Sequence, residues 1–280
     1  MNDIQCFIMG LPEAGKTTYL AALWYYLWNN NDSTLKIKSI IGDQSYISKI
    51  SKDWSDAQEI GRTKPSFEQK SISLILESET NNSIKFTFPD LSGETFQYQY
   101  ERREAKKEHI EAIRNCTGIL IFVNPSKIID PCLISQVAID LRTEDEDQES
   151  YDLVVYNPRN DPTQVQLVEL MQFVAYIRDN LAINTSLVIS AWDLVEKNYP
   201  SGINPEHYLK KHMPLLWQYI VSNNQSFITS FYGISAQGGE LGEKEKLLDM
   251  PSPCDRIKVV NNSGEYSKDI LLPFSEIVSK

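Results

Sequence analysis

Gly10-Leu11-Pro12-Glu13-Ala14-Gly15-Lys16-Thr17 has the form G-x-x-x-x-G-K-[ST]. The apolar run Ile4 to Met9 precedes it and reads as a parallel strand buried on both faces. After it, Leu20, Leu23, Trp24, Leu27 and Trp28 recur three and four residues apart until the Asn29 to Asp32 cluster, which is the spacing of a helix with a core-facing stripe. Strand, glycine loop and helix in that order form the setting in which this pattern binds phosphate. The glycines let the chain curl so that successive N–H groups face an anion at a helix N-terminus, where the dipole adds to the attraction. Lys16 is then placed to neutralise the β- and γ-phosphates of a nucleotide, and the Thr17 hydroxyl to ligate Mg²⁺. Glu13, Ala14 and Thr18 complete the candidate contacts of the loop.

Downstream, residues 33–65 are mixed and polar, an irregular or partly helical insertion that leads into a second strand at about Ser71. Ile72, Leu74 and Leu76 alternate with polar residues, as do Ile84, Phe86 and Phe88, and Asn81-Asn82 between them supplies turn chemistry, so the pair reads as a hairpin ending at Pro89-Asp90. A charged helix is expected over Glu101 to Arg114, with Ala105, Ile110 and Ile113 as its apolar face, and a strand over Gly118 to Val123. Asp161-Pro162-Thr163-Gln164 offers an N-cap, a proline at the first helical position and a capping-box partner ahead of Leu167, Met171, Val174, Ile177 and Leu181. A strand over Ser186 to Ala191, a helix over His207 to Val221, a strand over Phe227 to Ile234 and a closing helix over 268–279, disturbed by Pro273, follow. Strands alternating with helices give the α/β class: a mostly parallel central sheet with one antiparallel edge strand and helices on both faces. The expectation is a single domain over 1–280 with insertions at about 33–62, 126–160 and 197–206.

With 280 residues, 41% hydrophobic and 23% charged, the chain can bury a full core. A net charge of −11 opposes general binding to nucleic acid, whose affinity rests on Lys and Arg displacing counterions. Cys6, Cys116, Cys132 and Cys254 lack C-x-x-C spacing, and His109, His207 and His212 stand apart from metal-ligand partners, so neither zinc nor a disulfide framework is expected. The most apolar stretch, Tyr19 to Trp28, is shorter than the roughly 20 residues that cross a bilayer, and the N-terminus has no signal pattern. A cytoplasmic protein without membrane contact is the expectation. The acidic run Glu144 to Glu149 reads as a solvated loop.

Three further stretches bear on the site. Asp90-Leu91-Ser92-Gly93 follows the hairpin, where Asp90 can hold Mg²⁺ through a water and Gly93 can offer its N–H to a γ-phosphate. Ser190-Ala191-Trp192-Asp193 ends one expected strand, and Ser235-Ala236-Gln237-Gly238 ends the next. With these motifs in this order the chain resembles a Ras-like P-loop GTPase. The opening G-L-P-E-A-G-K-T-T-Y-L-A-A-L and the D-L-S-G-E segment are more narrowly similar to the bacterial double-GTPase group of predicted conflict systems.

The resemblance implies a P-loop (Ras-like) fold, GTP/GDP and Mg²⁺ as cofactors, Asp193 pairing with the N1–H and exocyclic amine of guanine, and Ser235 and Ala236 supporting Asp193 and the base oxygen. Ser190 and Ala191 stand where the family's N-K-x-D carries Asn and Lys, and Trp192 is either a compensating stacking partner or a core residue. Glu94 stands where Ras has its water-orienting Gln, a charge that needs a nearby cation beside a γ-phosphate, so slow hydrolysis is expected. A first-switch Mg²⁺ ligand is sought in Gly61-Arg62-Thr63-Lys64-Pro65-Ser66, with Thr63 ahead of Ser66; Arg62 is either a cis arginine finger or a surface residue. Arg102, Arg103, Lys106 and Lys107 read as a solvated face or as contacts for a nucleotide-sensing partner.

Three functions fit these residues. The first is a GTP-binding switch with slow hydrolysis that regulates a protein effector or operon partner in a bacterial defence or conflict system. The second is a P-loop ATPase or small-molecule kinase, for which only the insertion at 126–160, with Arg142 and Arg159, could supply a lid. The third is a non-hydrolysing interaction module that keeps its nucleotide.

Overall fold

The computed structural model describes residues 4–30, 35–61, 72–78, 83–88, 93–132 and 156–278. Strand β1 (Ile4–Met9) is apolar on both faces and lies mid-sheet, parallel to β4 (Ser83–Phe88) on one side and to β5 (Gly118–Val123) on the other. The parallel order continues from β5 through β6 (Ile183–Ser190) to β7 (Phe227–Ser235). At one end β3 (Ile72–Ser78) pairs antiparallel with β4 and with β2 (Leu35–Ile41). At the other, β8 (Lys258–Val260) pairs antiparallel with β7 and with β9 (Tyr266–Ser267). Among the described residues these nine strands form one sheet in the order β2-β3-β4-β1-β5-β6-β7-β8-β9. The mostly parallel centre is as expected, while antiparallel pairing, expected at one edge, occurs at both.

Helices cover both faces. α1 (Lys16–Asn29), α2 (Gln44–Ser55) and, near the end of the chain, α10 (Leu272–Val278) pack on one face, around Leu20, Leu23, Trp54, Phe86 and Phe274. α3 (Glu94–Arg102), α4 (Lys107–Asn115), α5 (Thr163–Ile177), α6 (Trp192–Asn198), α7 (Pro205–His212) and α8 (Pro214–Ser222) pack on the other, around Phe96, Met171, Trp192 and Leu216. The short α9 (Lys244–Leu248) follows β7. Among the described residues no helix is long and apolar enough to cross a membrane.

Several local expectations change. Within the described part of the insertion after α1, the partly helical reading holds at α2 and a strand is added: β2 extends the sheet, and α2 starts where the Asp43 carboxylate accepts from the Tyr46 N–H at 3.1 Å, then buries Ile47, Ile50 and Trp54 at helical spacing. The helix expected over 101–114 is two helices, because Arg103 turns left-handed at φ 59° and ends α3. The helix expected over 207–221 also divides, because Pro214 cannot donate to the preceding turn and opens α8.

At α5, Asp161 does not cap. Its carboxylate accepts from the hydroxyls of Tyr100 at 2.5 Å and Tyr156 at 2.6 Å, while Gln164 accepts from the Leu215 N–H at 2.9 Å. Pro162 is the residue before the helix, and Leu181 lies beyond its end, exposed. Pro273 sits in the first turn of α10, where no helical N–H is lost. Trp28, expected in the core, is 66% exposed and stacks on the buried Trp24 with centroids 5.7 Å apart. The acidic run Glu144 to Glu149 and the Asn81-Asn82 turn lie outside the described residues.

Candidate nucleotide site

The turn between β1 and α1 is held from several sides. Gly15 precedes α1 at φ 94°, and no side chain caps the helix, so its first N–H groups face the loop. Lys16 is buried and its ammonium donates to the Gly10 carbonyl at 2.7 Å and the Leu11 carbonyl at 2.9 Å. Glu13 takes a left-handed φ of 60°; the Asn124 amide donates to its carbonyl at 2.9 Å, and Lys127 pairs with its carboxylate at 2.6 Å. Ala14 is buried, and its N–H donates to the Leu11 carbonyl at 3.3 Å. Thr17 is the second residue of α1, and Thr18 lines the cavity that opens beside it.

α3 also begins without a side-chain cap, at Gly93 with φ 81°. A Cβ at Gly93 would lie 2.6 Å from the Leu11 carbonyl and the Pro12 nitrogen, so the start of α3 rests directly on the phosphate loop. Two helix N-termini therefore converge beside this loop. Glu94, in the first turn of α3, has Arg159 3.6 Å away, and Arg159 also donates to Glu101 at 2.6 Å. Arg159 thus places a cation beside Glu94 from the stretch read as an insertion at 126–160. Asp90, Arg62, Thr63, Ser66 and Arg142 lie outside the described residues.

Beyond the loop, the C-terminal ends of β5, β6 and β7 border a cavity of about 260 Å³ lined by Gly15, Thr18, Asn124, Ala191, Asp193, Leu194 and Ala236 among others. Open parallel sheets bind ligands at this end of their strands. Asp193 stands in the first turn of α6, and the Ser235 hydroxyl donates to its carboxylate at 2.5 Å. Ser235 is fully buried, and its oxygen in turn accepts from the Gly238 N–H at 3.1 Å. Ala236, next in the chain, faces the cavity while its carbonyl accepts from the Trp54 indole at 3.1 Å.

Ser190 has a different task from the Asn it replaces. Its hydroxyl donates to the Val123 carbonyl at 3.2 Å, tying β6 to β5, and a Cβ at Gly15 would meet it at 2.8 Å. The stacking alternative for Trp192 is corrected. Its ring is 1% exposed and lies over Gly233, where an added Cβ would come within 2.2 Å of it, so the indole fills the core while its neighbours Ala191 and Asp193 face the cavity.

The basic residues at and after the end of α3 are exposed: Arg103 pairs with Glu169 and lies over the Tyr100 ring, and Lys107 is 3.8 Å from Glu111. His109 packs edge-on against Phe7 and Phe96 inside the core. Sequence reasoning missed Asn124, Gln58, Ile60, Trp54 and the partnership of Arg159 with Glu94. Asn124 could have been found, since it follows a strand that ends beside the phosphate loop.

No curated protein matches the chain. Among solved structures it is similar to a bacterial selenocysteine-specific elongation factor, EF-Sec, at 13% identity and a TM-score of 0.36, covering 88% of this chain and 28% of that one. It is also similar to the GTPase-like domain of Saccharomyces cerevisiae Ski7 bound to GTP, at 12% identity and a TM-score of 0.44, covering 85% and 43%. A third is Methanosarcina barkeri Roco2 RocCORdC bound to GDP, at 12% identity and a TM-score of 0.29, covering 88% and 48%. The chain spans less than half the length of each of these structures. The model of Double-GTPase 1 matches residues 7–277, nearly the whole chain, and the protein belongs to that family.

Proposed function

We propose that the protein is a GTP-binding switch that hydrolyses GTP slowly with Mg²⁺ and whose nucleotide state sets its affinity for a partner protein. The observation that carries this reading is the joining of two chemistries in one cleft: a phosphate loop with a buried lysine, and a carboxylate held by Ser235 beside Ala236. Membership of a GTPase family supports guanine as the base. In this reading Asp193 accepts from the N1–H and exocyclic amine, and the Ser235 hydroxyl fixes the direction of its oxygens.

At the other end, Lys16 exchanges its loop carbonyls for β- and γ-phosphate oxygens, and the N–H groups at the starts of α1 and α3 share the remaining charge. The Thr17 hydroxyl is a hard oxygen donor beside the loop and suits Mg²⁺, with Asp90 and Thr63 or Ser66 as the further candidates. When bound, such an ion would offset phosphate charge, with the Thr17 hydroxyl among the residues that would hold it. Glu94 accepts a hydrogen bond from the attacking water, and its pairing with Arg159 keeps a bare carboxylate from repelling the γ-phosphate. Because Arg159 shares that carboxylate, the water is held less firmly, and slow turnover follows. The partner would sense α3 and the exposed Arg102 and Lys106 near its end. The resemblance to conflict-system GTPases supports a cytoplasmic, bacterial defence setting for it.

Mass spectrometry of nucleotide retained by protein purified with Mg²⁺ tests base and phosphate count together. Retained GDP or GTP is the expected result, and retained ATP would overturn guanine recognition. Asp193→Ala tests the base contact: losing hydrogen bonds to a charged group, at about 1.5–3 kcal/mol, should cut the preference for GTP over ATP by about 10- to 100-fold in competition binding.

A further inference from the structure

Resting on the reading of the cleft as a nucleotide site, we propose that the inserted α2 and the segment after it form one wall of the base cavity. In this arrangement Ile60 packs on the purine and Trp54 is the positioning residue that fixes the backbone of Ala236.

Gln58 and Ile60 line the same cavity as Asp193, Leu194 and Ala236, although the first two lie in the insertion between α1 and β3. The chain reaches the cavity because α2 ends in a tight turn. Ala57 is left-handed at φ 49°, and the Gln58 N–H donates back to the Asp53 carbonyl at 2.8 Å. Ile60 is part-buried and packs against the core under α1, so it has little freedom to leave the wall. Ile60 adds an aliphatic face to a lining that also holds Leu194, Ile234 and Leu241. With Ala191 in place of a lysine stem and Trp192 turned into the core, Ile60 is the insertion's contribution to covering a flat purine.

The wall is locked to the base loop by groups 182 positions apart. The Trp54 indole N–H donates to the Ala236 carbonyl at 3.1 Å, and the ring is fully buried. Arg256, itself buried, donates to the carbonyls of Trp54 at 3.0 Å, Ser55 at 2.7 Å and Leu247 at 3.0 Å, satisfying the C-terminal end of α2. A Cβ at Gly238 would lie 2.6 Å from the Arg256 carbonyl, so the base loop lies directly on the same arginine. Base loop, Arg256 and the end of α2 therefore move as one body. Trp54 fixes the Ala236–Gln237 peptide directly, and through the shared Ala236 Cα it steadies the Ser235–Ala236 peptide, whose N–H would meet the base.

The experiment titrates wild type, Ile60→Ala, Trp54→Phe and Glu59→Ala with GDP and with inorganic tripolyphosphate, which keeps a polyphosphate tail but has no base. Trp54→Phe keeps an aromatic ring and removes the donor; Glu59→Ala is the control, an exposed residue outside the cavity lining that should leave GDP binding unchanged. The expected result is GDP binding about five- to tenfold weaker in Trp54→Phe and Ile60→Ala, the scale of one hydrogen bond or a lost apolar contact, with tripolyphosphate affinity unchanged within about twofold in all three. Equal weakening of both probes would assign these residues a merely structural role and overturn the proposal, as would GDP binding unchanged in Trp54→Phe and Ile60→Ala. Wild-type protein that takes up tripolyphosphate but no purine nucleotide would instead overturn the base-site reading on which the proposal rests.

Discussion

A single missing methyl group decides how closely the start of α3 can approach the phosphate loop. At Gly93 the backbone is left-handed at φ 81°, and an added Cβ would meet the Leu11 carbonyl at 2.6 Å, a clash with main chain that no rotamer relieves. Gly93→Ala should push the start of α3 away from Leu11 and Pro12. Its expected effect is a loss of about 1–3 kcal/mol, the scale of local strain, concentrated in triphosphate binding. GTP affinity should then fall towards GDP affinity in calorimetry; an unchanged GTP-to-GDP ratio would remove Gly93 from any γ-phosphate contact. Residues of this kind were legible because their chemistry is local. Lys16 and Gly93 each sit a few positions past a strand end, Asp193 stands just beyond β6, and Ser235 ends β7. Trp192 was not legible in the same way, since its burial depends on the bare Cα of Gly233, forty-one positions away on another strand.

At the scale of elements, the helix that ends the described chain is a plug between distant parts. Phe274 in α10 meets Phe86 of β4 with centroids 4.1 Å apart and Tyr19 of α1 at 5.9 Å, and Ile277 lies where a side chain at Gly118 would be. Tyr19 in turn donates its hydroxyl to the Ile270 carbonyl at 2.7 Å, and burial pushes that hydroxyl well above its ordinary pKa, so it stays a donor. Phe274→Ala should cost about 3–5 kcal/mol, the range for emptying a buried aromatic site. Urea unfolding is the measurement, and a loss under about 1 kcal/mol would mean that α10 does not brace α1. Pro273 disguised this helix in the sequence, because proline forbids a helix interior but suits a first turn, and boundaries decide which applies. The same ambiguity ran the other way at Pro214, which divides a stretch whose apolar spacing is continuous. α2 escaped notice because its stripe of Ile47, Ile50 and Trp54 is set among polar residues, and only contact with α1 and the base loop gives that stripe a purpose.

Over the whole molecule, the cavity draws its lining from segments spread between Gly15 and Leu241: the start of α1, the segment after α2, the ends of β5, β6 and β7 and the start of α6. The mostly parallel centre was readable from buried apolar runs; the added antiparallel strands at the edges were not, since β2, β8 and β9 are short or half-exposed and their pairing is a choice made by their neighbours. A site assembled from so many segments exists only in the folded state, so ligand binding must stabilise the fold as a whole. At a free concentration of about 100 times Kd the gain is about 2.7 kcal/mol. For a chain of this size each kcal/mol moves Tm by about 2 °C, so Mg²⁺ with GTP or GDP should raise Tm by about 5 °C. ATP at the same concentration should shift it far less, because adenine has an unprotonated N1 and no C2 amine where Asp193 seeks two donors. Lys16→Ala should abolish the shift while leaving Asp193 and Ser235 in place, and if that variant kept the full 5 °C response the phosphate loop would not be where the nucleotide is held.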